Sequence, residues 1–478
     1  MENISTYLGP KGYSIIKEYL SIEEQELIRK ELTVTPFVPK TSPAKPSPFP
    51  VYRESKRKFY LPRFYGLEHY GNPEAATLSA GQNIALSFKG KLRPYQIPLV
   101  NTYLKKAKKN GCGLLDADCG AGKTCCAIYI LAKYRKKTLI IVHKEFLLRQ
   151  WTDRLKQFLP GARIGRIQGP IIDTENKDVV LGMLQSLSMK EYPRSLFAEF
   201  GFTIVDEVHH ISAEVFSRAL FKTVTPYMLG LSATMNRADG LTRIFKMFMG
   251  PVLAVWRRGP QENVHVKAIY YEHADPTYSA DLYNFKGQIN YVKMIGKICT
   301  FPPRIQFLLS VIKDTWKAAK GQQIMVIAHQ KNLLKELHDT LQERAFATVG
   351  YYIGGMKEEA LKISEGKNII IATYKMAEEA LDIKTLTTIV MATPKKDVRQ
   401  AVGRILRTKG TKVVVDIIDQ HAIFRRHWTG RRRWYQRQKF NILQTTTEGY
   451  KKKEWTSLHK SGKISQTNLL QGKCFITD

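Results

Sequence analysis

The sequence predicts an α/β protein of two tandem domains, each built on a parallel sheet, with a small N-terminal accessory domain and a basic C-terminal tail. Three observations predict it. A glycine-bearing turn, Ala117-Asp118-Cys119-Gly120-Ala121-Gly122-Lys123-Thr124, stands where a strand should pass into a helix. A short apolar, β-favouring run at 202–205 ends in the adjacent carboxylates Asp206 and Glu207. A second series of such runs follows at 324–328, 369–372, 388–391 and 412–418, separated by helical stretches, and alternation of that kind builds a parallel sheet.

From the N-terminus, Ser21-Ile22-Glu23-Glu24 has the spacing of a capping box and predicts a helix reaching about Leu32. Six prolines from Pro36 to Pro50 predict an extended connector, because each fixes φ and removes a backbone donor. Residues 51–70 interleave Arg53, Lys56, Arg57, Lys58 and Arg63 with Tyr52, Phe59, Tyr60, Phe64 and Tyr65. Two readings of this mixture stand level: phosphate contacts with base stacking, or a small sheet with rings inward and charges outward. The expected divisions are an accessory domain with its connector at 1–88, a first α/β domain at 89–256 with strands near 139–142, 179–181, 202–205 and 228–231, a second at 257–440, and the tail at 441–478.

The turn at 117–124 fits the Walker A pattern with Ala117 in place of the leading glycine. Its glycines let the backbone N–H groups around Cys119, Gly120, Ala121 and Gly122 wrap a phosphate chain, and the following run, 125–134, reads as a helix whose N-terminus faces the anion. Lys123 suits the β- and γ-phosphates of ATP, and the Thr124 hydroxyl suits Mg²⁺. Asp206 and Glu207 emerge at the carboxyl end of a strand, where open α/β sheets bind ligands; Asp206 suits the Mg²⁺ shell and Glu207 a base that activates water. His209 and His210 lack Cys or His partners at ligand spacing, so coupling or packing fits them better than a metal. In Gln400-Ala401-Val402-Gly403-Arg404 with Arg407, the two arginines stand three apart, share a helix face and can point together at a γ-phosphate.

These residues together resemble the superfamily 2 helicases, closest to the branch holding the XPB helicase, the phage recombination helicases and the helicases of large DNA viruses. The resemblance covers roughly residues 89–440 and implies two RecA-like domains clamping one ATP with Mg²⁺, with Gln400, Arg404 and Arg407 among the catalytic groups. Leu92-Arg93-Pro94-Tyr95-Gln96 resembles an adenine-recognition element, in which Gln96 pairs with the base edge and Arg93 supports it. The segment 139–151 resembles motif Ia, and Met183-Leu184-Gln185-Ser186 a strand-contacting motif through Gln185 and Ser186. Ser232-Ala233-Thr234 matches motif III, which with His209 implies coupling of ATP state to domain closure. Ala372-Thr373 through Asp382-Ile383 resembles motif V, implying a nucleic-acid contact at Thr373 and a nucleotide contact at Asp382. This chain departs from the pattern at Ala380, where relatives usually carry Gly. It departs again at Arg237-Ala238-Asp239-Gly240, where the XPB helicase has Arg-Glu-Asp. The absent glutamate leans the reading towards a duplex translocase or branch remodeller, with Arg237 a contact to nucleic acid.

Composition points the same way. The chain holds 75 Lys and Arg against 42 Asp and Glu, a formal charge of +33, which favours a polyanionic partner through counterion release. Residues 420–478 hold 13 Lys or Arg against 3 acids, and 425–435 are their densest basic-aromatic run. Arg431, Arg432 and Arg433 are expected on phosphates and Trp428 or Trp434 is a stacking candidate, against a packed terminal helix as the rival; the two are expected to mix, with Trp434 and Tyr435 mainly structural. Six cysteines without a C-x-x-C pair read as reduced thiols, and Cys119 reads as a packing residue or an oxidation-sensitive one. No secretory signal or membrane-length apolar run is found, so an intracellular monomer is expected, within a host cell or virion if the chain is viral. The partner is nucleic acid, DNA ahead of RNA, with transcription or repair machinery as further expected company. Two alternatives stay open: an RNA helicase, and a nucleic-acid clamp that turns over little ATP.

Overall fold

The computed structural model describes residues 5–35, 47–207, 213–233, 242–259, 263–319, 322–379, 383, 385–406, 410–458 and 464–465. The chain divides into two compact units, Met1–Arg258 and Gly259–Asp478.

The first unit opens on a five-stranded sheet ordered Arg53–Glu54, Lys58–Leu61, Gly12–Ile16, Thr6–Gly9, Ala75–Ala76. Ser21 and Glu24 form the expected capping box, and the helix it starts, Ile22–Glu31, lays Ile28 on this sheet. Tyr13, Phe59, Leu61 and Tyr65 are buried together, while Lys56 and Arg57 are exposed. Of the segment 51–70, residues 53–61 form part of a small sheet with Phe59 turned inward and Tyr52 and Tyr60 half-buried, while 63–70 is a helix. Lys17 and Arg29 lie over the Phe59 ring, 4.7 and 5.2 Å from its centroid. Gly66 is required here, since a Cβ at that position would stand 2.1 Å from the Tyr13 ring. The connector needs one correction: Pro50 pairs with Thr33 in a two-residue antiparallel ladder. A proline is tolerated there because so short a ladder is all edge. Residues 36–46 lie outside the described residues.

An eight-stranded sheet forms the rest of this unit, ordered Ile171–Asp173, Ile164–Gln168, Val179–Met183, Thr138–Val142, Phe202–Val205, Tyr227–Ser232, Cys112–Ala117, Val252–Trp256. All pairings are parallel except the first. A sheet covered on both faces needs strands that are apolar at every position, and Thr138–Val142 is buried throughout. Alternate side chains serve opposite faces. Leu139 and Ile141 join Leu184, Phe216 and Phe245 on one, while Ile140 and Val142 join Leu99, Cys126 and Leu155 on the other.

The second unit repeats the plan with nine strands, ordered Val349–Tyr352, Ile369–Thr373, Gln323–Ala328, Leu386–Met391, Lys412–Asp419, Val264–Tyr271, Asn441–Thr446, Thr456–Leu458, Ile464–Ser465. Ile324 and Val326 face one core, Met325 and Ile327 the other. The expected tail at 441–478 is corrected here: Asn441–Thr446 pairs parallel with Val264–Tyr271 and extends the sheet past residue 440. Its composition hid it, because only Ile442 and Leu443 are apolar and the strand is held by backbone pairing more than by burial. Among the described residues no helix is long and apolar enough to cross a membrane.

Candidate functional site

Three neighbouring parallel strands carry the site. Phe202–Val205, Tyr227–Ser232 and Cys112–Ala117 lie side by side, so Asp206, Ser232-Ala233 and the phosphate loop all emerge from one end of the sheet. Gly120 and Gly122 take positive φ values of 82° and 77°, and the helix Lys123–Tyr134 starts directly after them, with Thr124 half-buried in its first turn. An added Cβ at 122 would also lie 2.4 Å from Gln96 Nε2 and displace that amide.

The buried Gln96 braces the loop from behind. Its Nε2 donates to Ala121 O at 2.8 Å and its Oε1 accepts from Arg93 N at 2.9 Å, while Arg93 Nη1 donates to the Tyr95 hydroxyl at 3.0 Å. In this structure both ends of the Gln96 amide are therefore engaged by protein backbone, where the resemblance implied a base edge.

Lys123 is 9 % exposed, and its Nζ lies 3.3 Å from Ala117 O and 3.6 Å from Glu207 Oε1. Asp206 is buried. Its Oδ2 accepts from Trp151 Nε1 at 2.8 Å and its Oδ1 from Glu207 N at 2.9 Å. Burial, and then the neighbouring Glu207 charge, push the Asp206 carboxyl up to about 6, against the opposing pull of Trp151 and Lys123. Glu207 itself sits at φ 48°, the left-handed region that costs a residue with a Cβ. The donor set of Thr124 hydroxyl and Asp206 carboxylate is all hard oxygen, and the buried carboxylate is electrically short of a cation, so the residues present fit Mg²⁺.

Sequence reasoning missed two sets of residues. Trp151 lies on the helix Glu145–Phe158 with Leu148 and Leu155 on its buried face. The available signal was an indole N–H on that face, which needs a partner. Arg257 and Arg258 grip the loop strand: Arg257 Nη2 meets Asp116 Oδ2 at 2.5 Å, Arg258 N donates to Asp118 Oδ2 at 2.7 Å, and Arg258 Nη2 donates to the carbonyl of half-buried Cys119 at 3.2 Å. No local pattern announces pairs so far apart in the chain.

In the second unit, Gln400 and Arg404 are half-buried on the helix Arg399–Ile405, and Arg404 donates to the Glu378 carbonyl. That helix ends before Arg407, which lies outside the described residues together with His209, His210, Thr234, residues 237–240, Ala380 and Asp382. Thr373 closes the strand Ile369–Thr373, and its hydroxyl accepts from Met376 N at 3.4 Å. Gln185 is exposed and bonded to His143 O at 3.0 Å, and Ser186 accepts from Gly169 N at 2.8 Å.

The basic helix Ala422–Arg437 corrects one expectation. Arg431 is 2 % exposed and forms a two-pronged pair with Asp416, both N···O distances 2.8 Å, so it is a core residue and not a phosphate contact. Helical spacing explains it: Phe424, Trp428, Arg431 and Tyr435 form the buried stripe, leaving Arg433 exposed and Arg432 half-buried. Trp428 is likewise no stacking platform, since it is buried and donates to the Tyr270 hydroxyl at 2.8 Å.

A phosphate loop, a lysine facing a carboxylate pair and a parallel sheet presenting both at one end are the arrangement of a P-loop nucleoside-triphosphate-binding fold. Comparison with known proteins gives the family. The family described as "Type III restriction enzyme, res subunit" matches residues 89–237, and "Helicase conserved C-terminal domain" matches 303–409. A protein of Acanthamoeba polyphaga mimivirus, provisionally named an ATP-dependent RNA helicase, is 35% identical over 453 residues, covering 92% of this chain and 87% of that one. A protein of African swine fever virus with the same provisional description is 27% identical over 377 residues, covering 73% of each. One from Escherichia phage T5, provisionally named a helicase, is 23% identical over 343 residues, covering 69% of this chain and 72% of that one. The chain belongs to the superfamily 2 helicases, in the company of those of large DNA viruses and phages.

Proposed function

We propose that this helicase is a nucleic-acid-stimulated ATPase that translocates on DNA and unwinds or remodels it. The observation that supports hydrolysis most directly is Lys123 Nζ lying 3.6 Å from Glu207 beside the buried Asp206. In the proposed mechanism, backbone N–H groups at 119–122 and Lys123 hold the phosphates, Gln96 and Arg93 keep the loop in shape, and Glu207 takes a proton from water. Thr124 and Asp206 would hold Mg²⁺, which supplies charge neutralisation on the phosphates when bound. Arg404 and Arg407 supply further positive charge for the phosphates, and Ser232, Ala233 and Thr234 with His209 transmit the nucleotide's state. Gln185, Ser186, Thr373, Arg432 and Arg433 contact the nucleic-acid backbone.

The charge of +33 supports a polyanionic track, and the match to a restriction-enzyme family supports DNA. RNA is the second reading, favoured by the provisional names of the mimivirus and swine fever virus relatives. ATP turnover measured with single-stranded, duplex, forked and four-way DNA and with RNA tests both. Strongest activation by a DNA substrate is expected; activation by RNA alone would replace the DNA reading, and no activation by any polynucleotide would end both.

A further inference from the structure

A cavity of about 840 Å³ lies within the second unit, between one face of the strand Val264–Tyr271 and the helices Pro302–Ala318 and Thr447–Lys451. None of the motifs assigned above falls in it. Strand alternation brings Lys267 and Tyr271 to the same face, so an ammonium group stands in the lining beside aromatic rings. The rings form a continuous wall. Tyr271 and Phe307 have centroids 5.1 Å apart, Phe307 and Tyr450 5.5 Å, Tyr450 and Trp455 6.1 Å. Lys267 Nζ lies 5.7 Å from the Trp455 centroid and, among the described residues, makes no hydrogen bond or ion pair. Its burial lowers its pKa, with Asp314 in opposition, and the Asp314 carboxylate is itself engaged by the Tyr450 hydroxyl at 3.0 Å. Lys451 and Lys453 also line the cavity and are exposed.

Lys267 is half-buried, is bonded to no described residue and has Asp314 as a counter-charge only beyond ion-pair distance, so its ammonium donors stay open to an anion. A flat, anionic guest fits: its ring can lie on the aromatic wall and its charge can meet the lysine. We propose that this cavity binds one nucleotide, its base against Tyr450 and Trp455 and its phosphate at Lys267, with Lys451 and Lys453 drawing the anion in. The same chemistry is offered by a free mononucleotide and by an unstacked unit of a single strand. The site is separate from the phosphate loop and independent of ATP turnover.

Titration of the full chain with dTMP and with a short oligothymidylate, followed by tryptophan fluorescence, tests it. Quenching is expected with at least one ligand. Quenching by dTMP assigns a free nucleotide, and quenching by the oligomer alone assigns a strand. Lys267→Gln should weaken that ligand about tenfold, and Trp455→Phe should remove most of the quenching, while ADP binding at the phosphate loop is unchanged in both. Wild-type affinity in Lys267→Gln and in Tyr450→Ala, or no quenching by either ligand, overturns the proposal. Photo-crosslinking of 4-thiothymidylate to the wild-type chain reads the site without a variant: attachment at Tyr450 or Trp455 supports it, and attachment elsewhere only refutes it.

Discussion

The buried carboxylates Asp206 of the first unit and Asp416 and Asp419 of the second are held in different ways. In the second unit, Asp416 is gripped by Arg431, and Asp419 by Arg304, whose Nε and Nη2 lie 2.5 and 2.9 Å from it, while Nη2 also donates to Ala392 O at 2.8 Å. Every member of those groups is closed by protein. In the first unit, among the described residues, Asp206 receives an indole N–H and one backbone N–H, with Lys123 turned to Glu207. A buried acid with a matched guanidinium is closed by protein; a buried acid without one fits the proposed role of meeting a cation from outside.

The largest effects should separate these roles. Lys123→Ala and Glu207→Gln should each lower polynucleotide-stimulated phosphate release on the order of a thousandfold, with Glu207→Gln still binding a fluorescent ATP analogue. Turnover within tenfold of wild type in either would break the contrast. Next, Arg431→Met should cost about 3–5 kcal/mol in the urea unfolding of the second unit by stranding Asp416, and Arg431→Met with Asp416→Leu should recover most of it. A single variant as stable as wild type would show that the pair does not hold the fold.

The Asp206 carboxyl is raised above its ordinary value, so once ionised it opposes folding. Its unfavourable contribution is absent below about pH 4, grows as pH rises towards 6 and is constant above that. Asp206→Asn should therefore stabilise the nucleotide-free protein by about 1–3 kcal/mol at pH 8 and by little at pH 4, read by thermal melting, while lowering turnover. A lower melting temperature at pH 8 would mean that the carboxylate is adequately paired. The smallest effect is expected from Trp151→Phe. Loss of its hydrogen bond should push Asp206 higher and move the acid limb of kcat/KM upward by roughly half a pH unit; an unmoved limb would sever the indole from the chemistry.

The same contrast explains what could be read in the residues alone. Strands buried on both faces announce themselves as apolar runs, so 139–142, 202–205, 324–328 and 369–372 fall within observed strands. Val264–Tyr271 and Asn441–Thr446 escaped because polar positions alternate with apolar ones or dominate them. The phosphate loop and acidic pair are local motifs and carry their chemistry in order. Arg431 misled because three consecutive arginines look like a solvated patch, whereas one position in that run faces the core and pairs with a carboxylate from a neighbouring strand. Trp151, Arg257 and Arg258 depend on contacts across the fold, which local spacing does not encode.

The backbone of Glu207 has an evolutionary corollary. A left-handed conformation is easiest for glycine and next easiest for asparagine, so single replacements at this position that relax the chain also delete the proposed base. On the proposed role, the strain carried at this position is stability given up for turnover, and a chain relieved of that work could settle into a sturdier, idle form.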